Sequence, residues 1–287
     1  CSPVSVLMTL TIYCLMDTIG VKSFSVFMTK FDFHVFNIKI NSLSFYKVQT
    51  MNEQNFLANY NRRDFLSPLI TVDSVLFTYH EGQLKVLLVE RANHPEKGKW
   101  GLPGGFVDET QDNCLEDTVL RKLKEKTGVI PPYIEQLCSV GNNQRDVRGW
   151  SVTVCYTALI AHQACKAHID SVDHVMWLPI DEVAQKNLAF DHNELIAQAR
   201  ERLKQKSLYS IVPGFALPEV FTLPELQHVH EILIGKEIQK KSFRRRIEQA
   251  DLLIDTGEKR AEKGRPASLY RLKKSSADYR FIRNLEF

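Results

Sequence analysis

The 287-residue sequence has few of the features that mark specialised classes of protein. Its 13 glycines and 11 prolines are too few for a collagen-like or low-complexity chain. The six cysteines form no Cys-x-x-Cys pair and are too sparse for a disulfide scaffold, so we expect a reducing, cytoplasmic compartment. The nine histidines show no His-x-x-x-His spacing, and no zinc site is expected. With 44% hydrophobic and 25% charged residues, the chain has the composition of a globular protein.

Residues 1–50 lack the marks of a targeting or membrane segment. Their first apolar run has no Lys or Arg before it and ends at Asp17 after 13 residues, whereas a membrane span needs about 20. We therefore expect no membrane association. Our hypothesis is that Met51 is the natural start and that the preceding residues come from upstream translation. The alternative is a genuine apolar extension.

Positive charge is concentrated at one end of the chain. Residues 236–287 contain 15 Lys and Arg against 8 Asp and Glu, a balance of +7, whereas the rest of the chain carries −4. This asymmetry predicts a basic terminal domain after an acidic body.

The body combines strand and helix patterns. Two alternating apolar runs joined by Glu81-Gly82-Gln83 are typical of a β-hairpin. A helix follows that Asp112 or Asn113 can cap; it runs to Lys126 and ends at Gly128. Three further strand patterns (IEQLCSV, SVTVCYTALI and VMWLP) and a helix from Asp191 complete the domain. Strands mixed with helices predict an α/β sandwich over residues 51–207.

The segment GGFVDETQDNCLEDTVLRKLKEKTGV resembles the signature of the Nudix family. In that signature a Gly is followed after five residues by Glu, and after seven more by Arg-Glu-apolar-x-Glu-Glu-x-Gly-apolar. Here Gly105 and Arg121 match, with two extra residues between them. The later acidic positions hold Lys122, Glu125 and Lys126.

This exchange of acids for bases changes the expected chemistry. Nudix hydrolysis uses Mg²⁺ held by carboxylates on this helix, and lysines do not coordinate Mg²⁺ at neutral pH. We therefore expect no catalytic residues and no metal in this vestigial signature. Lys122 and Lys126 are instead interpreted as neutralising a bound diphosphate; the alternative is that either lies on a solvated face.

Other residues of the body suit a nucleotide pocket. Arg145 and Arg148 lie in a polar loop before the strand pattern SVTVCYTALI, where their guanidinium groups can meet phosphate or ribose. Trp100 can stack on adenine or fill the core. The ligand-binding candidates are Arg91, Trp100, Gly104, Gly105, Lys122, Lys126, Arg145 and Arg148.

The rest of the chain predicts a second domain. Residues 208–221, with Pro213, Gly214 and Pro218, read as an ordered linker. From Thr222, a capping box with Glu225 opens a helix that ends at Gly235, on which His228 and His230 are expected at the surface.

A second helix, capped by Ser242, has the apolar stripe Phe243, Ile247, Ala250 and Ile254. Two strand candidates follow, with a basic loop between them. Helix, turn, helix and basic hairpin predict a winged helix-turn-helix over residues 222–287, although a run of charge can also be a plain solvated surface. The DNA-contact candidates are Lys240, Lys241, Arg244, Arg245, Arg246, Gln249, Arg260, Lys263 and Arg265.

The motifs RKLKEKTG, RDVRG, LAFDH, VPGF, FTLPELQ, KSFRRRI and GRPASLYRL, in this order between Phe56 and Leu272, together resemble the NrtR family of Nudix-related regulators of NAD metabolism. The resemblance implies a Nudix α/β/α sandwich with a mixed sheet, followed by a winged helix. It also implies a homodimeric repressor of NAD biosynthesis or salvage genes, bound to palindromic double-stranded DNA. ADP-ribose or a related NAD-derived effector would lower its affinity for this operator, and no cofactor would be required.

Two other functions stay open at this stage. Glu109, Glu116, Asp117 and Glu125 can regroup around Mg²⁺ if the insertion shifts the loop, which would give an active hydrolase of ADP-ribose or another nucleoside diphosphate derivative. The other alternative is an RNA-binding Nudix protein acting on nucleotide caps. The winged-helix pattern favours duplex DNA instead.

Overall fold

The computed structural model describes residues 53–261 and 266–282. They divide into two units after Arg62. In the first unit, helix α1 (Glu53–Asn59) buries none of its side chains. The strands and the other α-helices belong to the second unit. Our hypothesis about Met51 concerns residues outside the described part of the chain.

A seven-stranded mixed sheet forms the centre of the second unit. The path β3-β2-β1-β6-β5 is extended by β4 pairing with β1 and by β7 pairing with β2. Strands β1 and β6 are parallel, and the other pairs are antiparallel. The strands are β1 (Leu69–His80), β2 (Gln83–Arg91), β3 (Trp100–Gly101), β4 (Gly104–Phe106), β5 (Glu135–Asn142), β6 (Ser151–Ile160) and β7 (Val172–Pro179).

The predicted hairpin joins β1 and β2. His80 pairs with Gln83, so the turn consists of Glu81 and Gly82, whose φ angles of 53° and 78° are those of a tight two-residue hairpin turn. This turn sets the register that pairs Phe77 with Val86, both fully buried.

Two helices cover the opposite faces of the sheet. Helix α2 (Leu115–Thr127) buries Val119 and Leu123 in one core, and α3 (His192–Tyr209) buries residues such as Leu195 and Ala199 in the other. The α/β/α sandwich with a mixed sheet is therefore confirmed.

The start of α2 differs from the prediction. Helix α2 ends at Gly128 as expected, but Cys114 occupies the position before its first turn and gives no side-chain cap. Asp112 does not cap it because its carboxylate accepts hydrogen bonds from Arg121 and Thr118 instead.

The segment predicted as a linker is ordered and largely buried. Helix α3 extends into it as far as Tyr209, and a 3₁₀ turn follows at Val212–Ala216. Ile211 is fully buried. This segment is therefore part of the core.

A winged helix follows. The capping box at its start is confirmed: Glu225 N–H donates to Thr222 Oγ1 at 3.3 Å, and Thr222 N–H donates to Glu225 Oε2 at 2.7 Å. Strands β8 and β9 both pair with β10. The elements are β8 (Phe221–Thr222), α4 (Leu223–Ile234), α5 (Lys240–Ala250), β9 (Leu253–Arg260), β10 (Ala267–Leu272) and a 3₁₀ turn at Lys274–Asp278.

Two local predictions for α5 were wrong. Ser242 is not its cap; its N–H donates to the side chain of Gln239, one residue before the helix, at 2.6 Å. Phe243 and Ile247 are buried as expected, but the helix ends at Ala250. Ile254 lies in β9 and is 49% exposed, so the apolar stripe is shorter than predicted.

Helix α4 connects the winged helix to the sandwich. Tyr79 at the end of β1 hydrogen-bonds His228 at 2.9 Å. His230 is fully buried, contrary to prediction: its Nδ1–H donates to the carbonyl of Ser207 at 3.0 Å, and its ring packs against Phe243 of α5. Burial lowers the pKa of His230 to about 4, so the ring is neutral at pH 7.

Candidate functional site

A cavity of about 270 Å³ opens beside β1, β4 and α2. It brings together all but one of the predicted ligand residues. Trp100 is the exception, because its side chain packs against the core. The predicted residues that line the cavity are Arg91, Gly104, Gly105, Lys122, Lys126, Arg145 and Arg148.

Gly104 is required for the packing of β4 on β1. A Cβ atom at Gly104 would lie 2.2 Å from the carbonyl oxygen of Val72, closer than packed atoms approach. At Gly105, with φ of 155°, a Cβ atom would lie 3.2 Å from the side chain of Lys122. Gly104 thus allows β4 to pack on β1, and Gly105 allows the backbone to approach Lys122 of α2.

Lys122 and Lys126 line the cavity one helical turn apart. Both side chains are partly buried, so neither lies on an open solvated face. Burial lowers the pKa of Lys126 to about 8, so it is still mostly charged at pH 7. The face that carries metal-binding carboxylates in the Nudix signature therefore presents two ammonium groups.

Glu125, the one acid left at the later positions of the Nudix signature, is already engaged. Burial raises its pKa, but hydrogen bonds from Arg121 at 3.2 Å and Lys122 at 3.2 Å lower it overall. Glu116 accepts from the Tyr156 hydroxyl. Across residues 53–261 and 266–282, no group of three or more His, Cys, Asp or Glu side chains is placed to hold a metal ion.

The floor of the cavity is a network of fixed charges. Arg145 donates two hydrogen bonds to Asp191, at 2.9 and 2.8 Å, and its guanidinium lies 3.6 Å from Asp73. Thr153 donates to Asp73 at 2.7 Å. His192 Nδ1 accepts from the N–H of Leu102 at 2.9 Å, and burial lowers the pKa of this ring. Arg145 is thereby held in one orientation.

The mouth of the cavity carries two aromatic rings, each covered by an arginine. Arg148 lies 4.9 Å from the ring centre of Phe106 and donates three hydrogen bonds to the Asp146 carboxylate, at 3.0, 3.2 and 2.6 Å. Arg91 lies 4.8 Å from the ring centre of Phe190. Such pairs offer flat apolar faces and positive charge together, which suits a nucleotide.

Sequence reasoning missed Asp73, Phe106, Phe190 and His192, which also line the cavity. Asp73 is the one acidic residue of the largely buried strand β1, and that charge is the signal that marked it. Phe190 and His192 lie in the LAFDH motif, which carried the resemblance but no assigned role.

On the winged helix, the predicted DNA contacts have different environments. Lys240, Lys241, Arg245 and Gln249 are exposed on α5. Arg244 pairs with Glu248 at 3.1 Å, and Arg246 is half-buried.

The wing is the hairpin of β9 and β10, and the predicted DNA contacts on it differ in their surroundings. Arg260 donates to Glu225 at 2.7 Å and to the carbonyl of Val220 at 3.3 Å, so it also joins β9 to the start of α4. Lys263 and Arg265 lie outside the described residues.

A groove adjoins these helices. It runs between α4, α5 and the wing, lined by Lys240, Arg244 and Lys259 among others.

Along the described part of the chain, no helix is long and apolar enough to cross a membrane.

A sandwich with a Nudix signature fused to a winged helix defines a class of Nudix-related DNA-binding proteins. Residues 69–199 match the model of the NUDIX domain, and residues 213–272 match that of the NrtR DNA-binding winged helix domain. The chain belongs to the NrtR family.

The similar proteins cover between 53% and 84% of this chain. The chain is 44% identical over 241 residues to the "ADPR responsive transcriptional repressor NtrR" of Acinetobacter baylyi, covering 84% of this chain and 96% of the relative. The crystal structure of Shewanella oneidensis NrtR with a 27mer DNA has 72% identity and a TM-score of 0.71, covering 76% of this chain and 99% of that one. The NUDIX domain of the same protein, cocrystallised with ADP ribose, has 67% identity and a TM-score of 0.53, covering 53% of this chain and 99% of that one.

Proposed function

We propose that this protein is a transcriptional repressor whose hold on operator DNA is weakened by ADP-ribose. The observation that carries the proposal is the replacement of metal-binding carboxylates by Lys122 and Lys126 at a cavity in the same unit as a winged helix. The Acinetobacter relative is named for its response to ADP-ribose, and the Shewanella relatives are described with ADP ribose and with DNA.

The cavity suits each part of ADP-ribose. Lys122 and Lys126 supply the positive charge that a diphosphate needs, beside the partly buried backbone of Gly105. Phe106 and Phe190, each with its arginine, offer faces for the adenine or ribose. We assign these residues to ligand binding, and we do not assign Trp100.

Hydrolysis is expected to be lost or feeble. Cleavage of the diphosphate would need Mg²⁺ to polarise it and to activate water. The signature helix instead places two lysines at the cavity, and Glu125, the acid left at its later signature positions, is bound to Arg121 and Lys122. Binding therefore needs no metal, and a metal-dependent hydrolase is the competing function.

On the DNA side, α5 is assigned to the major groove and the β9–β10 wing to the phosphates. Arg245 and Gln249 are exposed on α5 and are the side chains we assign to base edges. A homodimer would place two such helices on a palindromic operator, and we propose that the target genes serve NAD biosynthesis or salvage.

Helix α3 offers a route between the two sites. Its first residue, His192, lines the cavity, and Ser207 near its end accepts the hydrogen bond of His230. His230 in turn packs against Phe243 of α5. A ligand acts only through its different affinities for DNA-competent and DNA-incompetent states, and about 1.4 kcal/mol of such coupling gives tenfold release.

The test is a gel-shift titration using DNA from upstream of the protein's own gene. ADP-ribose should release the DNA from the protein equally in Mg²⁺ and in EDTA. NAD and AMP are titrated in the same way for comparison. If a dimer neutralises about six phosphates, log Kobs should fall with log salt at a slope of roughly −5. Brisk formation of AMP in Mg²⁺, together with no affinity for the DNA, would favour the hydrolase instead.

A further inference from the structure

Two cysteines face each other across neighbouring strands. Cys138 of β5 is the direct antiparallel partner of Cys155 of β6, next to a bulge that follows Gln136. Directly opposed residues in such a pair have Cα atoms about 4.5–5.5 Å apart, within the roughly 4.4–6.8 Å that a disulfide bridges. The two sulfur atoms therefore need little backbone movement to join.

The two thiols differ in reactivity. Cys138 is partly exposed, whereas Cys155 is fully buried. Contact with the Cys155 side chain and the positive charge of Arg202 lower the pKa of Cys138 to about 7, against the opposing effect of burial. The same contact and its own burial raise the pKa of Cys155. Near pH 7, Cys138 is thus the nucleophile and Cys155 the neighbouring thiol.

The pair adjoins the floor of the cavity. Cys155 is the register partner of Asp73 in the parallel pair β1–β6, so Asp73, Cys155 and Cys138 form a row across three strands. Asp73 is the carboxylate that lies beside Arg145 and accepts from Thr153. Cys155 also belongs to the core that packs under α3.

We propose that Cys138 and Cys155 form an oxidation site for peroxides, which convert the pair to a cross-strand disulfide. The Cys138 thiolate attacks one peroxide oxygen; the O–O bond breaks, and with a proton the other oxygen leaves as water or an alcohol. The Cys155 thiol then attacks the sulfenic sulfur, forms the S–S bond and releases water. Two thiols are oxidised and one peroxide is reduced.

The other described cysteines serve as controls. Cys114 is exposed before α2, and Cys165 is half-buried. Neither is a register partner of a cysteine within the described strands. Cys1 and Cys14 lie outside the described residues, so peptide mapping must account for them.

The experiment treats the full-length protein with hydrogen peroxide at pH 7 and records intact mass and peptide maps. We expect a loss of about 2 Da and one linked peptide pair joining Cys138 to Cys155. The Cys114→Ser, Cys165→Ser double variant should behave identically. The Cys155→Ser variant should not form the linked peptide pair. Its Cys138 should instead gain about 16 Da as a sulfenic acid, which dimedone labels.

A second measurement covers the case in which a cysteine variant fails to fold. In the unaltered protein, oxidation should raise the thermal midpoint by several degrees, and dithiothreitol should reverse it. The proposal is overturned if Cys138 and Cys155 keep free thiols, or if the linked peptides join other cysteines. Because both readouts are independent of DNA and of ADP-ribose, their failure is distinct from failure of the proposed function.

Discussion

The cavity and helix α5 are both rich in positive charge, but they hold it differently. In the cavity, the Arg145 side chain is 5% exposed and tied to two carboxylates. On α5, the Arg244 side chain is 58% exposed with one carboxylate partner a helical turn away, and Arg245 is exposed. Fixed guanidinium groups shape a small site for one ligand. Exposed ones are free to meet phosphates of any sequence, at a strength that depends on salt.

Reversing charge at the signature helix should have the largest effect on a binding constant. Lys122→Glu with Lys126→Glu places two anions where the diphosphate would lie. We expect affinity for ADP-ribose in EDTA to fall at least about 100-fold, as measured by calorimetry. Lys124→Glu is the matched control, because Lys124 is exposed on the same helix and outside the cavity. Binding by the double variant within threefold of the unaltered protein would contradict the assignment.

The stability of the contact that His230 makes with α3 and α5 should decrease in acid. The pKa of His230 is lowered to about 4 in the folded protein, so the unfolded chain takes up its proton first as pH falls. The neutral His230 ring makes its full contribution to the free energy of unfolding above pH 6.5. This contribution is lost progressively towards pH 4, by about 3 kcal/mol.

Urea unfolding at pH 7 and pH 4 measures this loss. The His230→Gln variant has no group that titrates at this position. Between pH 7 and pH 4, its free energy of unfolding should therefore fall by about 3 kcal/mol less than that of the unaltered protein. Equal losses would mean that the histidine is protonated without cost.

Removing one cation from α5 should have a smaller effect, confined to DNA. Arg245→Ala is expected to weaken operator binding about tenfold and to leave ADP-ribose affinity unchanged. Arg200→Ala is the control, since it removes an exposed positive charge from the sandwich. Fluorescence anisotropy with labelled operator measures both variants. Equal weakening by the two, or loss of ADP-ribose binding in Arg245→Ala, would refute the division of roles.

The smallest expected effect is that of alkaline pH on the cavity. Lys126, with a pKa of about 8, loses its charge as pH rises through 8. Affinity for ADP-ribose should therefore fall about fivefold between pH 7 and pH 9. Lys126→Arg keeps its charge over that range and should flatten the profile. A flat profile in the unaltered protein would mean that Lys126 does not contact the ligand.

Local patterns were enough to predict most elements of the fold. The Thr222–Glu225 capping box and the β1–β2 hairpin depend on residues close in sequence, and both are confirmed, although Gln83 of the predicted connection belongs to β2. Failures arose where a distant partner competes. Asp112 has the side chain of a cap but binds Arg121, and His230 has the pattern of a surface residue but meets Ser207.

The same reason explains what was missed in the site. Predicted ligand residues came from the Gly-Gly segment and its flanks, from two loop arginines and from the signature helix, and seven of the eight line the cavity. The floor is assembled from Asp73 in β1, Arg145 in a loop and Asp191 before α3. Three segments so far apart are joined by the sheet topology, which no local pattern encodes.

The most direct test of the central claim is a titration of ADP-ribose into the protein in EDTA and again in Mg²⁺, with chromatography of the products. We expect the same dissociation constant in both, with ADP-ribose recovered intact. Binding that requires Mg²⁺ and ends in AMP would show that this cavity cuts its ligand and does not merely sense it.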